Sequence, residues 1–162
     1  MFSEKQIKIL EWPYTGKRAL ICDGAVRSGK TSVMSLSFIL WAMGNFDKCS
    51  FGLCGKTVGS AERNIIQPLL GVSYLQEQFS LEYTRSGHVL TVTRGLRSNQ
   101  FYVFGGRDES SYKLIQGVTL AGVLLDEVAL MPRSFVEQAL ARCSVAGAKL
   151  WFNCNPDVPE HW

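Results

Sequence analysis

Residues 18–31 read Arg-Ala-Leu-Ile-Cys-Asp-Gly-Ala-Val-Arg-Ser-Gly-Lys-Thr. A short apolar run, Ala19 to Cys22, gives way to a loop bounded by two glycines. A lysine–threonine pair then opens a long apolar segment. Gly24, Ala25, Val26, Arg27, Ser28, Gly29, Lys30 and Thr31 match GxxxxGK[ST] in full. The chemistry behind that spacing is specific. Glycines let successive backbone N–H groups wrap phosphate oxygens with no Cβ in the way. The helix that follows adds the positive end of its dipole. Lys30 is expected to reach the β- and γ-phosphates of a nucleotide, and Thr31, with Ser32 beside it, to offer a hydroxyl to Mg²⁺. A strand–loop–helix order around the motif is what separates a phosphate loop from a glycine-rich turn.

Outward from this loop, apolar runs alternate with amphipathic ones. Helices are predicted over 3–12, 30–43, 60–70 and 132–143. The first has Ser3 and Gln6 at capping-box spacing; the third is expected to bend or end at Pro68. Strands are predicted over 18–22, 50–54, 100–104, 122–125 and 148–154. Residues 79–84 and 89–93 alternate across Ser86-Gly87, which predicts a hairpin, either on the main sheet or as an excursion from it. Strands alternating with helices predict an α/β fold: a mainly parallel sheet with helices on both faces. A second Gly-Lys-Thr, residues 55–57, lacks the first glycine of a phosphate loop, since position 50 is Ser50. It reads as a basic strand end, and Lys56 as a solvated lysine.

Val123-Leu-Leu-Asp126-Glu127 is the second chemical element. An apolar strand delivers two acids to the carboxyl edge of the sheet, where open α/β folds bind ligands. Asp126 is placed to hold Mg²⁺ and Glu127 to polarise an attacking water. Two adjacent acids with separate tasks point to hydrolysis. The third element is Leu150-Trp-Phe-Asn153-Cys-Asn155-Pro156, a strand ending in amides that can sense a γ-phosphate; a polar turn at Asn-Pro is the plainer reading.

Composition is consistent with a globular enzyme. The 162 residues are 46% hydrophobic and 19% charged, with a net charge of +3. That balance permits a nucleic-acid partner without requiring one. The longest apolar run, 33–43, is too short to span a bilayer, so no membrane association is expected. Five cysteines without a CxxC, and histidines only at positions 88 and 161, argue against zinc and for reduced thiols in a cytoplasmic compartment. A GTPase would need NKxD, which does not occur. A small-molecule kinase would not need the Asp-Glu pair.

Taken together, the SEKQ start, GAVRSGKT, LCGKTVGSAERN, FGGRDESSYKLIQG, VLLDEVALMP and WFNCNPDVPEHW resemble the N-terminal ATPase of phage terminase large subunits, within them the PBSX-like group. The resemblance extends over nearly the whole chain. It implies a P-loop NTPase of the RecA/ASCE type over residues 1–162, using ATP and Mg²⁺ and coupling hydrolysis to the packaging of double-stranded DNA. It further implies an adenine contact at Gln6 and a γ-phosphate-directed arginine at Arg27. The coupling motif falls at Asn155, with Asn153 where the family usually has threonine. An arginine acting from a neighbouring subunit of a ring is expected too, with Arg107, Arg133 and Arg142 as candidates. The implied partners are DNA phosphates, the terminase small subunit, the portal and further copies of the chain, in a bacterial host cytoplasm. The sequence stops soon after the coupling motif. It is therefore expected to be incomplete at the C-terminal end of the ATPase core, to lack nuclease activity and to turn ATP over slowly. A helicase-like ATPase, or a prophage remnant that binds nucleotide without turnover, are the alternatives.

Overall fold

A computed structural model of the chain describes residues 2–23 and 29–154. The elements, in chain order, are α1 (Glu4–Glu11), β1 (Ala19–Asp23), α2 (Lys30–Asn45), β2 (Ser50–Gly55), α3 (Val58–Ala61), α4 (Gln67–Leu70), α5 (Ser73–Gln78), β3 (Ser80–Thr84), β4 (Val89–Arg94), β5 (Arg97–Gly105), α6 (Glu109–Gln116), β6 (Gly122–Asp126), α7 (Arg133–Ala141) and β7 (Lys149–Cys154). The strands form one sheet of seven, in the order β1-β7-β6-β2-β5-β4-β3. β1, β7, β6, β2 and β5 are parallel. β4 runs antiparallel to β5, and β3 antiparallel to β4. The hairpin is therefore no excursion: it extends the main sheet and ends it at β3.

Side-chain alternation along the strands sorts the core into two layers. Phe51, Leu53, Phe101, Leu124 and Trp151 point to the layer that holds α1 and α2. Cys54, Phe104, Val123 and Leu125 point to the other, packed on α6 and α7 through Ile115, Phe135, Val136 and Ala139. Helices thus cover both faces of the sheet. α2 is apolar nearly all round because it is covered twice. The sheet lies on one side and α1 on the other, where the buried Ser37 hydroxyl donates to the Ile9 carbonyl at 2.9 Å. Aromatic rings fill the contact between helix and sheet. Trp151 lies 4.6 Å from Trp12, 4.8 Å from Phe38 and 4.9 Å from Trp41, centre to centre.

The segment 58–70 stays helical through Pro68 and ends two residues beyond it, at Leu70. A π-turn over Glu62–Ile66 widens the helix immediately ahead of it, with the Gln67 N–H bonded back to the Glu62 carbonyl. The looser turn accommodates a residue that has no N–H to give and whose ring would crowd the preceding turn. Pro68 then sits in the first turn of α4, where its missing donor costs least. The second Gly-Lys-Thr also acquires a plain role. Thr57 caps α3, its Oγ1 accepting from the Ser60 N–H at 3.1 Å.

Candidate functional site

At the carboxyl edge of the sheet β1, β7 and β6 lie side by side. Cys22 pairs with Asn153, and Asn153 with Asp126. The helix α2 opens beside them. Its N-cap is Gly29 at φ 75°, a left-handed conformation that glycine adopts without steric cost. Its first turn carries Lys30, Thr31 and Ser32. Gly24, Ala25, Val26, Arg27 and Ser28 lie outside the described residues, as does Asn155.

Three side chains named separately from the sequence meet here. The Thr31 hydroxyl donates to Asp126 Oδ1 at 3.1 Å. Asn153 Nδ2 donates to the same carboxylate oxygen at 2.6 Å and to Thr31 Oγ1 at 2.9 Å. An ionised carboxylate only accepts, so the amide must turn its nitrogen toward it. Asn153 Oδ1 is left buried with no hydrogen-bond partner among the described residues. Alongside, Lys30 Nζ donates to the Cys154 carbonyl at 3.3 Å.

Asp126 is 2% exposed. Burial pushes its carboxyl above the ordinary carboxylate range. Hydrogen bonds from Asn153, Thr31 and the Glu127 backbone, and the charge of Lys30, pull the other way. Glu127 follows at φ 55°, left-handed and not glycine, where it starts a 3₁₀ turn over Val128–Leu130. Such a residue is strained and persists only where its surroundings hold it. Burial also raises the thiols of Cys22 and Cys154 at the strand ends, so neither is poised as a thiolate.

Gln6 stands at this edge as well. Its Oε1 accepts from the Ser3 N–H at 2.9 Å, while the Gln6 N–H donates to Ser3 Oγ at 3.3 Å, completing the capping box read from the sequence. Its Nε2 lies 3.2 Å from where a Cβ on Gly29 would be. One amide thus caps α1 with its oxygen and approaches the end of the phosphate loop with its nitrogen. Of the candidate arginines, Arg133 is paired with Glu137 at 2.9 Å and Arg107 Nε donates to the Leu130 carbonyl at 3.3 Å. Arg142 Nε is buried without a partner among the described residues.

Apart from Arg107 as a candidate arginine, the sequence assigned no role within the Gly105–Ser111 stretch, which braces the strand ends next to the site. Asp108 Oδ2 accepts from the Val58 N–H at 2.9 Å, and Ser111 Oγ accepts from the Gly105 N–H at 2.9 Å. A glycine pair followed by Asp and Ser was the available signal, since it marks close backbone approach and local capping.

The hydroxyl of Thr31 and the carboxylate of Asp126 are hard oxygen donors brought within hydrogen-bond distance of each other. That donor set suits Mg²⁺, which takes one or two protein oxygens and completes its shell with phosphates and water. Among the described residues no group of three or more His, Cys, Asp or Glu gathers as a metal cage. None of the described helices is long and apolar enough to cross a membrane.

No protein-family model matches the chain, and no curated protein does. Solved structures do. The large terminase of a thermophilic bacteriophage is 53% identical with a TM-score of 0.94; the match covers 100% of this chain and 41% of that one. The same phage's terminase in complex with ADP matches at 52% identity and TM-score 0.87, covering 96% of this chain and 39% of that one. Its ATP-γ-S complex matches at 50% and 0.85, covering 96% and 38%. The ATPase domain of the Thermus phage P74-26 large terminase shares the fold at 18% identity, TM-score 0.69, covering 95% of this chain and 69% of that one. The chain therefore spans about two fifths of the length of the first of these relatives.

Proposed function

The chain belongs to the phage large terminases, matching their N-terminal ATPase domain, and from that membership we propose that residues 1–162 form a nucleotide-hydrolysing core of a DNA-packaging motor. The ADP and ATP-γ-S complexes of the thermophilic phage terminase support ATP as the nucleotide. The observation that carries the reading is the contact of Thr31 with Asp126, because it joins the phosphate-loop helix to the acid strand at the one edge where both chemistries are required.

In this proposal the backbone of Gly24–Gly29 and the ammonium of Lys30 hold the phosphates. Thr31 and Asp126 supply oxygens to Mg²⁺, whose contribution when bound is to offset charge developing on the β- and γ-phosphate oxygens. Glu127 orients a water and takes up its proton as the water oxygen bonds the γ-phosphorus and the bond to the ADP oxygen breaks. Arg27, or an arginine from a neighbouring subunit, stabilises the equatorial oxygens. Such an arginine is worth about a thousandfold or more in rate, so an isolated chain is slow where a neighbour supplies it. Asn153, and Asn155 after it, transmit the state of the site along β7. Gln6 contacts the adenine. Hydrolysis drives duplex DNA into a prohead in the host cytoplasm, with the small subunit, the portal and further copies of the chain as partners.

ATP binding and hydrolysis by the purified chain, alongside Glu127→Gln and Lys30→Ala, test this. Turnover lost in Glu127→Gln with nucleotide binding retained, and binding lost in Lys30→Ala, are expected. A folded parent chain that neither binds nor hydrolyses ATP overturns the proposal.

A further inference from the structure

The opposite, amino-terminal edge of the sheet carries a second concave surface. It is a cleft of about 530 Å³ between the turn that enters β1, residues 16–18, and the turn that enters β7, residues 143–148. Both turns use a left-handed glycine, Gly16 at φ 80° and Gly147 at φ 84°. A Cβ at Gly16 would meet nothing within 4 Å, so that lip is open. Five residues of β1 at about 3.3 Å each put the cleft about 16 Å from the Asp23 end of that strand. The cleft and the site of Thr31 and Asp126 are separate, on opposite edges.

Lys17, Arg18 and Lys149 line the cleft, and no aspartate or glutamate does. Neutral groups hold two of these cations in place. Arg18 Nη2 donates to the Cys143 carbonyl at 3.4 Å. Lys149 Nζ donates to the Lys17 carbonyl and lies 5.4 Å from the centre of the Trp12 ring. Among the described residues the ion pairs are Lys113–Glu109 and Arg133–Glu137, so none of the three is matched by a carboxylate. Like charges fixed on one concave wall repel each other and focus a positive potential outward. The Arg18 guanidinium uses one of its five donors on Cys143, which leaves a fork suited to phosphate oxygens.

We propose that this cleft is a second anion site, which takes backbone phosphates of duplex DNA through Lys17, Arg18 and Lys149. Cations spread over two turns match a run of singly charged phosphates along a strand better than one compact anion. Contacts of this kind carry no base preference and weaken steeply with salt. The choice of DNA as the source of phosphate rests on the packaging reading above; the charge pattern of the cleft stands without it.

The test is binding of the whole chain to a fluorescent mixed-sequence duplex across a salt series, without nucleotide. Two variants serve: Lys17→Ala/Arg18→Gln/Lys149→Ala, and Lys17→Glu/Arg18→Gln, which leaves the packing of Lys149 on Trp12 intact. Circular dichroism checks their folding. Affinity is expected to fall at least about tenfold in both, with the slope of log K against log salt shallower by roughly two to three. Basal ATP turnover should be unchanged, and Lys30→Ala should leave duplex binding as it was. Equal affinity and slope in parent and variants overturn the proposal. So does tighter binding of poly-glutamate than of the duplex at equal ionic strength, which would assign the cleft to an acidic protein. Inorganic phosphate binding there without any duplex binding overturns it as well. A chain that binds duplex through these residues yet never binds ATP would sink the motor reading and leave the cleft standing.

Discussion

At the scale of single residues, the site is held by one carboxylate that is expensive to bury. Asp126 keeps its proton more tightly in the folded chain than in the unfolded one, so folding is favoured at low pH. That stability is lost as pH rises through the raised folded value. In a chelating buffer Asp126→Asn is therefore expected to be more stable than the parent at neutral pH. The advantage should vanish below the ordinary carboxylate range. Urea unfolding at both ends of that range measures it, and equal stability at neutral pH would show that Thr31 and Asn153 fully offset the burial. The sequence put Thr31 and Asp126 on one Mg²⁺ but did not bring Asn153 to them. The three are 95, 122 and 27 residues apart in pairs, and no local pattern encodes such contacts. The amide of Asn153 was legible as a polar strand end. Its donation to both other groups depends on the neighbouring positions of β7 and β6, which periodicity cannot give.

Among the elements, the long and strongly patterned ones were legible and the short ones were not. α2 declared itself by its apolar length, β6 by its unbroken apolar run into two acids, and α1 by its cap. α5 and α6, at 6 and 8 residues, were not foreseen. α6 reads Glu-Ser-Ser-Tyr-Lys-Leu-Ile-Gln, and its 8 residues are fewer than the window of about 11–18 over which a helical period is read. Its position is set by the brace between β5 and α3. A Cβ on Gly105 would fall 2.1 Å from Asp108 Oδ2 and 2.5 Å from the Val58 nitrogen, the latter being backbone that cannot swing aside. Gly105→Ala should thus cost about 3 kcal/mol through overpacking. Thermal unfolding would register this, and an unchanged melting temperature would mean that the α3 start moves freely. Pro68 teaches the converse lesson. A helix breaker was read as a bend or an end near Pro68; a π-turn absorbs it, and the helix ends two residues later at Leu70.

For the whole molecule, stability comes from burial and not from surface charge. The described ion pairs are i,i+4 pairs on exposed helix faces, each worth little. Raising NaCl from about 0.05 M to about 0.5 M is expected to change the unfolding free energy by less than about 1 kcal/mol. A larger loss in denaturant titrations would reveal a charge network that these pairs do not account for. The topology has one more consequence. β7 lies between β1 and β6 and is bonded to each by a parallel ladder of five register pairs. Tugged along its axis from beyond Cys154, it cannot peel off one bond at a time. Both ladders take the load in shear and must yield together. Such a strand behaves as a stiff tie rod: a pull on its end is felt at once by the strand that enters the phosphate loop and by the strand that carries the acids, with little slack between them.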